Sequence, residues 1–266
     1  MGTAIKAEVR KLLTTRLWWG MAIAVLAAGA LLALLMASIL NETPNPEQQA
    51  QGQPAMTPLQ IATSTYTSGS AFGYVLLMVI GIMTIGSEYR HKTITGSLLA
   101  VPHRSRLIAA KVIALLAFGV LYGLIFLIGS VGAGATVLSI RGLEVFPEPG
   151  TLLRSLVLVL LVLGLWALIG LGLGVLITNQ IAAILVGVGV AFIVEPLLGV
   201  LVSQVSWGES LAKYFPSRAT NAVLQGYAQD GSTNQLSWWA GALVLIGYAA
   251  IMVAIGTFLT ERRDVT

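Results

Sequence analysis

LRSLVLVLLVLGLWALIGLGLGVLI, residues 153–177, then Thr178-Asn179-Gln180, then IAAILVGVGVAFIVEPLLGVLVS, residues 181–203, is the stretch that decides the fold. The first run holds one charge, Arg154, near its start, and no proline. A helix rising about 1.5 Å per residue needs ~20 apolar residues to cross a ~30 Å hydrocarbon core. Both runs reach that length. Their three-residue connection makes the two helices adjacent and antiparallel.

Four more runs of the same kind lie outward from this pair: Leu17 to Leu40, Ser68 to Gly86, Leu107 to Leu138 and Trp239 to Thr260. The third span of the resulting six is too long for a bilayer and is expected to tilt or project beyond it. Only 10% of residues are charged and 56% are hydrophobic, with a mean hydropathy of +0.87, which leaves no room for a soluble domain. The predicted fold is all-α integral membrane, one transmembrane domain over residues 1–266. With no cysteine, disulfides, thiol catalysis and cysteine-ligated metals are excluded.

Charge then orients the bundle. Eleven of the fifteen lysines and arginines fall on the side of the N-terminus, around Lys6–Arg16, Arg90–Lys111 and Arg262–Arg263. Arg141, Arg154, Lys213 and Arg218 fall on the other side, with most of the acids. Basic residues are retained in the cytoplasm, so both termini are predicted there, in a bacterial plasma membrane. The pI near 9.5 reflects this flanking charge and not a nucleic-acid partner.

Residues 1–16 are too polar to insert but place Ile5, Val9, Leu12 and Leu13 on one helix face. That spacing predicts an interfacial helix lying in the headgroup plane; a merely basic leader is the plainer alternative. Trp18, Trp19, Trp238 and Trp239 suit the aromatic belt. Residues 41–67, rich in Pro, Gln, Asn and Thr, read as an irregular external loop. In the external segment 204–238, two short helices, Trp207 to Phe215 and Ser217 to Gln225, are predicted to join at Pro216 and end at Gly226, as a surface or re-entrant hairpin.

Enzymatic motifs are missing. No Gly-Lys dipeptide exists for a phosphate-binding loop, and His91 and His103 lack the spacing of a zinc protease. Neither a catalytic residue nor a metal ligand is predicted. The anomaly within the spans is Glu195-Pro196. A carboxylate at that depth costs ~3 kcal/mol at the helix centre, and Pro196 removes a helical hydrogen bond. Glu195 and Pro196 either line a cavity or gate, or lie near the outer interface at the end of the span. Gly69/Gly73, Gly119/Gly123 and Gly170/Gly174 form Gly-x-x-x-Gly pairs that permit close helix approach.

The internal loop 87–106 mixes charge (Glu88, Arg90, Arg104), aromatic character (Tyr89) and an apolar patch (Leu98, Leu99, Val101). It suits either a short helix docked in another protein or a solvated basic loop.

Three stretches together resemble the membrane subunit of a type-two ATP-binding-cassette exporter. Glu8-Val9-Arg10-Lys11-Leu12-Leu13 leading to Leu17-Trp18 is similar to that family's amphipathic elbow. Glu88-Tyr89-Arg90-His91-Lys92-Thr93-Ile94, through Leu98-Leu99-Ala100-Val101-Pro102 to Arg106 and Lys111, resembles its coupling loop. Tyr214-Phe215-Pro216-Ser217 with Asn221-Ala222 resembles its external re-entrant segment, and the terminal Arg262-Arg263-Asp264 also fits. The resemblance implies a dimer, with itself or a paralogue, bound to two cytoplasmic ATPases that hold the ATP and magnesium, so that this chain needs no cofactor. Glu88, Tyr89, Arg90, Leu98, Leu99 and Arg104 would form the ATPase contact. Drugs, antibiotic peptides and lipids are the implied export substrates. Two other classes remain open at this point: a secondary transporter using Glu195, and a non-transport immunity or sensor subunit.

Overall fold

The computed structural model describes residues 2–40, 56–91, 93, 96, 104–205, 208–224 and 235–262, and among these every regular element is helical. The N-terminal helix, Gly2–Thr14, is followed by span one, Leu17–Ile39. Span two, Ser70–Arg90, is entered through a further helix, Pro58–Thr67. Span three is Arg104–Ile140 and span four Pro149–Leu176. Span five is Gln180–Gly189, a π-helical turn over Val190–Val194, and Glu195–Ser203. Two short helices, Gly208–Ala212 and Pro216–Leu224, precede span six, Trp238–Arg262. All six spans are long and apolar enough to cross a membrane.

Span four is the central post: it packs against spans two, three and six and against the Pro216–Leu224 helix. Its closest contact is with span two, where glycine makes the approach possible. A β-carbon on Gly170 would strike the Met78 carbonyl, and one on Gly81 would strike that of Ala167. The Gly170/Gly174 pair therefore serves packing inside the chain, with Gly174 against Ile82 and Ile85. Leu77, Met78, Leu163, Trp166 and Ala167 fill this seam.

Three differences from the sequence reading have local causes. Residues 58–67, placed in the irregular loop, are a buried helix. Thr57 Oγ1 accepts from the Gln60 amide at 3.2 Å, Gln60 Oε1 accepts from the Thr57 amide at 2.9 Å, and Pro58 stands in the first turn. That is a capping box, legible as Thr57-Pro58-Leu59-Gln60. The helix is fixed by Ile61, Ala62 and Tyr66, whose hydroxyl donates to the Val145 carbonyl at 2.7 Å. Second, the N-terminal helix docks Val9 and Leu12 onto the bundle, while Leu13 points outward with Lys6 and Arg10. Third, at Pro196, where a lost hydrogen bond and a kink are the expectation, span five runs on as helix with a π turn just ahead of the proline. Its ring would crowd the carbonyl four residues back, and the helix widens ahead of it: the Glu195 amide donates to Val190, five residues earlier. Gly226, Trp207 and the sequence 41–55 lie outside the described residues.

Candidate functional site

At the basic end of the bundle, four charges from three helices meet in a buried cluster. Glu8 and Lys11 lie one turn apart on the N-terminal helix. Glu88 is in the last turn of span two, and Lys111 is two turns into span three. The Lys111 ammonium, fully buried, donates to Glu8 Oε2 at 2.7 Å, to Glu88 Oε1 at 2.8 Å and to the Thr84 carbonyl at 3.3 Å. All three of its protons are therefore used. Lys11 donates to Glu8 Oε1 at 2.8 Å and to Glu88 Oε1 at 2.7 Å, with its side chain 47% exposed. Two carboxylates and two ammoniums make the cluster neutral. Glu88 Oε2, also buried, has no hydrogen-bond partner.

Neutrality is what makes the burial tolerable, because breaking one member of a buried ionic set typically costs ~3–5 kcal/mol. Burial alone would raise the Glu8 carboxyl. The Lys111 charge and hydrogen bonds from both lysines outweigh it and hold Glu8 below the ordinary carboxylate range. Burial would likewise depress Lys11, but the bonds from Glu8 and Glu88 and their charges hold it above its usual value. Glu8 and Lys11 are thus kept ionised by their neighbours.

The cluster brackets the loop singled out in the sequence. Glu88 stands just before residues 91–103 and Lys111 just after, so both ends of that segment are tied to the N-terminal helix. Glu88, expected at the rim of a partner contact, is turned into its own subunit at 5% exposure. Tyr89 packs half-buried on the core, while Arg90 is exposed. Leu98, Leu99 and the Arg104 side chain lie outside the described residues. Sequence reasoning gave Lys11 and Lys111 no role of their own, although signals existed. Glu8 interrupts the same helix face as Ile5, Val9 and Leu12, and Lys111 sits inside an apolar run. Each needs an opposite charge nearby.

A second polar node lies at the far end. Both carboxylate oxygens of Glu195 are engaged: the Ser217 amide donates to Oε1 at 2.6 Å and its hydroxyl to Oε2 at 2.9 Å. Tyr74 of span two donates to the Ser217 hydroxyl at 3.3 Å, and its ring stacks on Trp166 with centroids 4.1 Å apart. Trp166 Nε1 donates to Thr220 at 2.9 Å. Glu195 therefore caps the Pro216–Leu224 helix from another element. Phe215, which precedes that helix and accepts its first bond from the Ala219 amide at 2.8 Å, has no side-chain oxygen to do so. Among the described residues, no group of histidine and acidic side chains could hold a metal ion.

Comparison with curated proteins finds no significant match. The profile described as ABC-2 family transporter protein matches residues 4–202, from the N-terminal helix through span five, and so takes in the whole basic-end cluster. The chain, a multi-pass membrane protein of six apolar helices, belongs to the ABC-2 transporter family as a permease, the membrane component of an ABC transporter.

Proposed function

We propose that this chain is the translocating subunit of an ATP-driven exporter, working as a dimer with itself or a paralogue on two cytoplasmic ATPases. The ion cluster carries the proposal. Residues 91–103 connect spans two and three at the basic end, and Glu88 and Lys111 fasten both roots of that segment to the N-terminal helix. A push on the segment by an ATPase would reach three helices at once. Nucleotide and magnesium would be held by the ATPase, and Leu98 and Leu99 would be the apolar anchors in its groove.

On this proposal the basic end is cytoplasmic and holds both termini. The N-terminal helix lies at the inner interface, with Val9 and Leu12 toward the protein and Leu13, Trp18, Trp19, Lys6 and Arg10 toward lipid. The far-end helices are the external hairpin. Use of Glu195 as the ion site of a secondary transporter has less support, since Ser217 occupies both of its oxygens. Co-purification with a cassette ATPase tests the proposal. Leu98→Ala with Leu99→Ala should release the ATPase from a permease that still inserts; retention of the ATPase by that variant would place the contact elsewhere.

A further inference from the structure

The N-terminal helix spends its one acid on the inside. Glu8, the single carboxylate among the first 41 residues, is taken up by Lys11 and Lys111 in the ion cluster. Nothing else on the helix balances Lys6 and Arg10, both exposed, or the exposed Arg16 at the bend into span one. At 3.6 residues per turn, Lys6, Arg10 and Leu13 fall in a stripe about 60° wide, on the side opposite Glu8 and Leu12. Glu8 and Leu12 are turned to the bundle, so the stripe faces away from it.

Two observations say what meets that stripe. The first is its level. The helix stops at Thr14, where the Thr14 and Thr15 hydroxyls donate to the carbonyls of Arg10, Lys11 and Leu12. Span one begins at Leu17, and Trp18 and Trp19 are exposed in its first turn. Tryptophans at the start of a span mark the headgroup level, and the stripe lies a short bend away from them. The second is its mixed chemistry. Exposed Leu13 stands beside the two cations, so the surface asks for acyl chain and negative charge together. A lipid of net negative headgroup supplies both. A zwitterionic headgroup brings its own ammonium and leaves Lys6 and Arg10 unbalanced.

We propose that the Lys6–Arg10–Leu13 stripe is a binding surface for anionic phospholipid, with the two cations on the headgroup phosphate and Leu13 against the acyl chains. This rests on the inner-interface placement of the helix given above. Lipid and ion cluster then grip opposite faces of one helix. The anionic lipid of the leaflet holds from outside the same element to which Glu88 and Lys111 tie both roots of residues 91–103.

The chain has no cysteine, so a neutral fluorophore can be carried by Ala7→Cys, an exposed position beside the stripe. Ile140→Cys, 80% exposed at the far end of span three, is the control. The isolated subunit is placed in phosphatidylcholine nanodiscs with a trace of brominated phosphatidylglycerol or, separately, of brominated phosphatidylcholine. Each Lys or Arg near an anionic surface contributes about a five-fold preference. At Ala7→Cys, phosphatidylglycerol should therefore quench at least about five-fold more strongly per mole, while at Ile140→Cys the two lipids should quench alike. Lys6→Gln with Arg10→Gln should remove most of the preference, Lys6→Arg with Arg10→Lys should keep it, and ~1 M salt should weaken it. Quenching at Ala7→Cys by neither lipid would overturn the interfacial placement and this proposal with it. Equal quenching by both lipids would leave the placement standing and overturn the anionic surface, giving the stripe to a soluble partner. A preference undiminished in the double glutamine variant would also overturn it, because other cations would then be the cause.

Discussion

Lys111→Met is the sharpest perturbation of the basic-end cluster. Methionine keeps the length of the side chain and removes the ammonium, leaving Glu8 and Glu88 with Lys11 alone. The lost interactions are ionic bonds of 2.7 and 2.8 Å and a weaker one of 3.3 Å to a backbone carbonyl. Charged hydrogen bonds contribute ~1.5–3 kcal/mol each, and breaking a buried ionic set costs ~3–5 kcal/mol. Lys11 still bridges both carboxylates, which sets the expectation at the low end, ~3 kcal/mol, or more than a hundredfold in the docking equilibrium of the N-terminal helix. Lys11→Met removes a half-exposed ammonium and should cost no more than ~1 kcal/mol. Adding Glu88→Gln to Lys111→Met neutralises the stranded carboxylate, so the pair should cost ~1–3 kcal/mol less than the sum of the singles. Hydrogen exchange of the Gly2–Thr14 amides in detergent or nanodiscs measures docking directly. Equal protection in Lys111→Met and Lys11→Met, or strict additivity with Glu88→Gln, would refute the coupled cluster.

Docking should also depend on pH in a defined way. Glu8 is held below 4.5, so its contribution is complete above that pH and is lost as pH falls through the lowered value. Lys11 is held above 10.5, so its contribution is complete below that pH and is lost as pH rises through the raised value. Exchange protection should be flat between these limits, and Glu8→Gln should shrink the acid limb. Gly81→Ala should force spans two and four apart and cost ~1–3 kcal/mol, whereas Gly247→Ala, with nothing within 4 Å, should leave the thermal midpoint of the isolated subunit unchanged. Trp166→Phe strands the Thr220 hydroxyl and should lower stability by ~1 kcal/mol, read from the same thermal unfolding.

The spans were legible in the sequence because a bilayer imposes one rule, continuous apolar length, that each helix satisfies locally. The structure places span four at Pro149–Leu176 against a reading of 153–177, and span five begins at Gln180 against 181. What was not legible is whatever depends on a partner far along the chain. Glu88 was read from its loop alone as a surface charge; its burial comes from Lys111, 23 residues on, and from Lys11, 77 residues back. Glu195 stands out in the sequence as costly, yet nothing local names Ser217 as its donor. The helix at 58–67 is masked for another reason: its polar composition resembles a loop, and the capping box at Thr57–Gln60 is the one local mark of its start.

The central claim is that the Glu8–Lys11–Glu88–Lys111 cluster passes the state of an ATPase to the spans. The most direct test is the permease-dependent ATP hydrolysis rate of the reconstituted complex, unsubstituted and with Lys111→Met, at matched ATPase occupancy. The account predicts that Lys111→Met still binds the ATPase, through residues 91–103, but no longer changes its hydrolysis rate from that of the free subunit. A Lys111→Met complex that hydrolyses ATP as the unsubstituted one does would contradict it, as would a chain that binds no cassette ATPase.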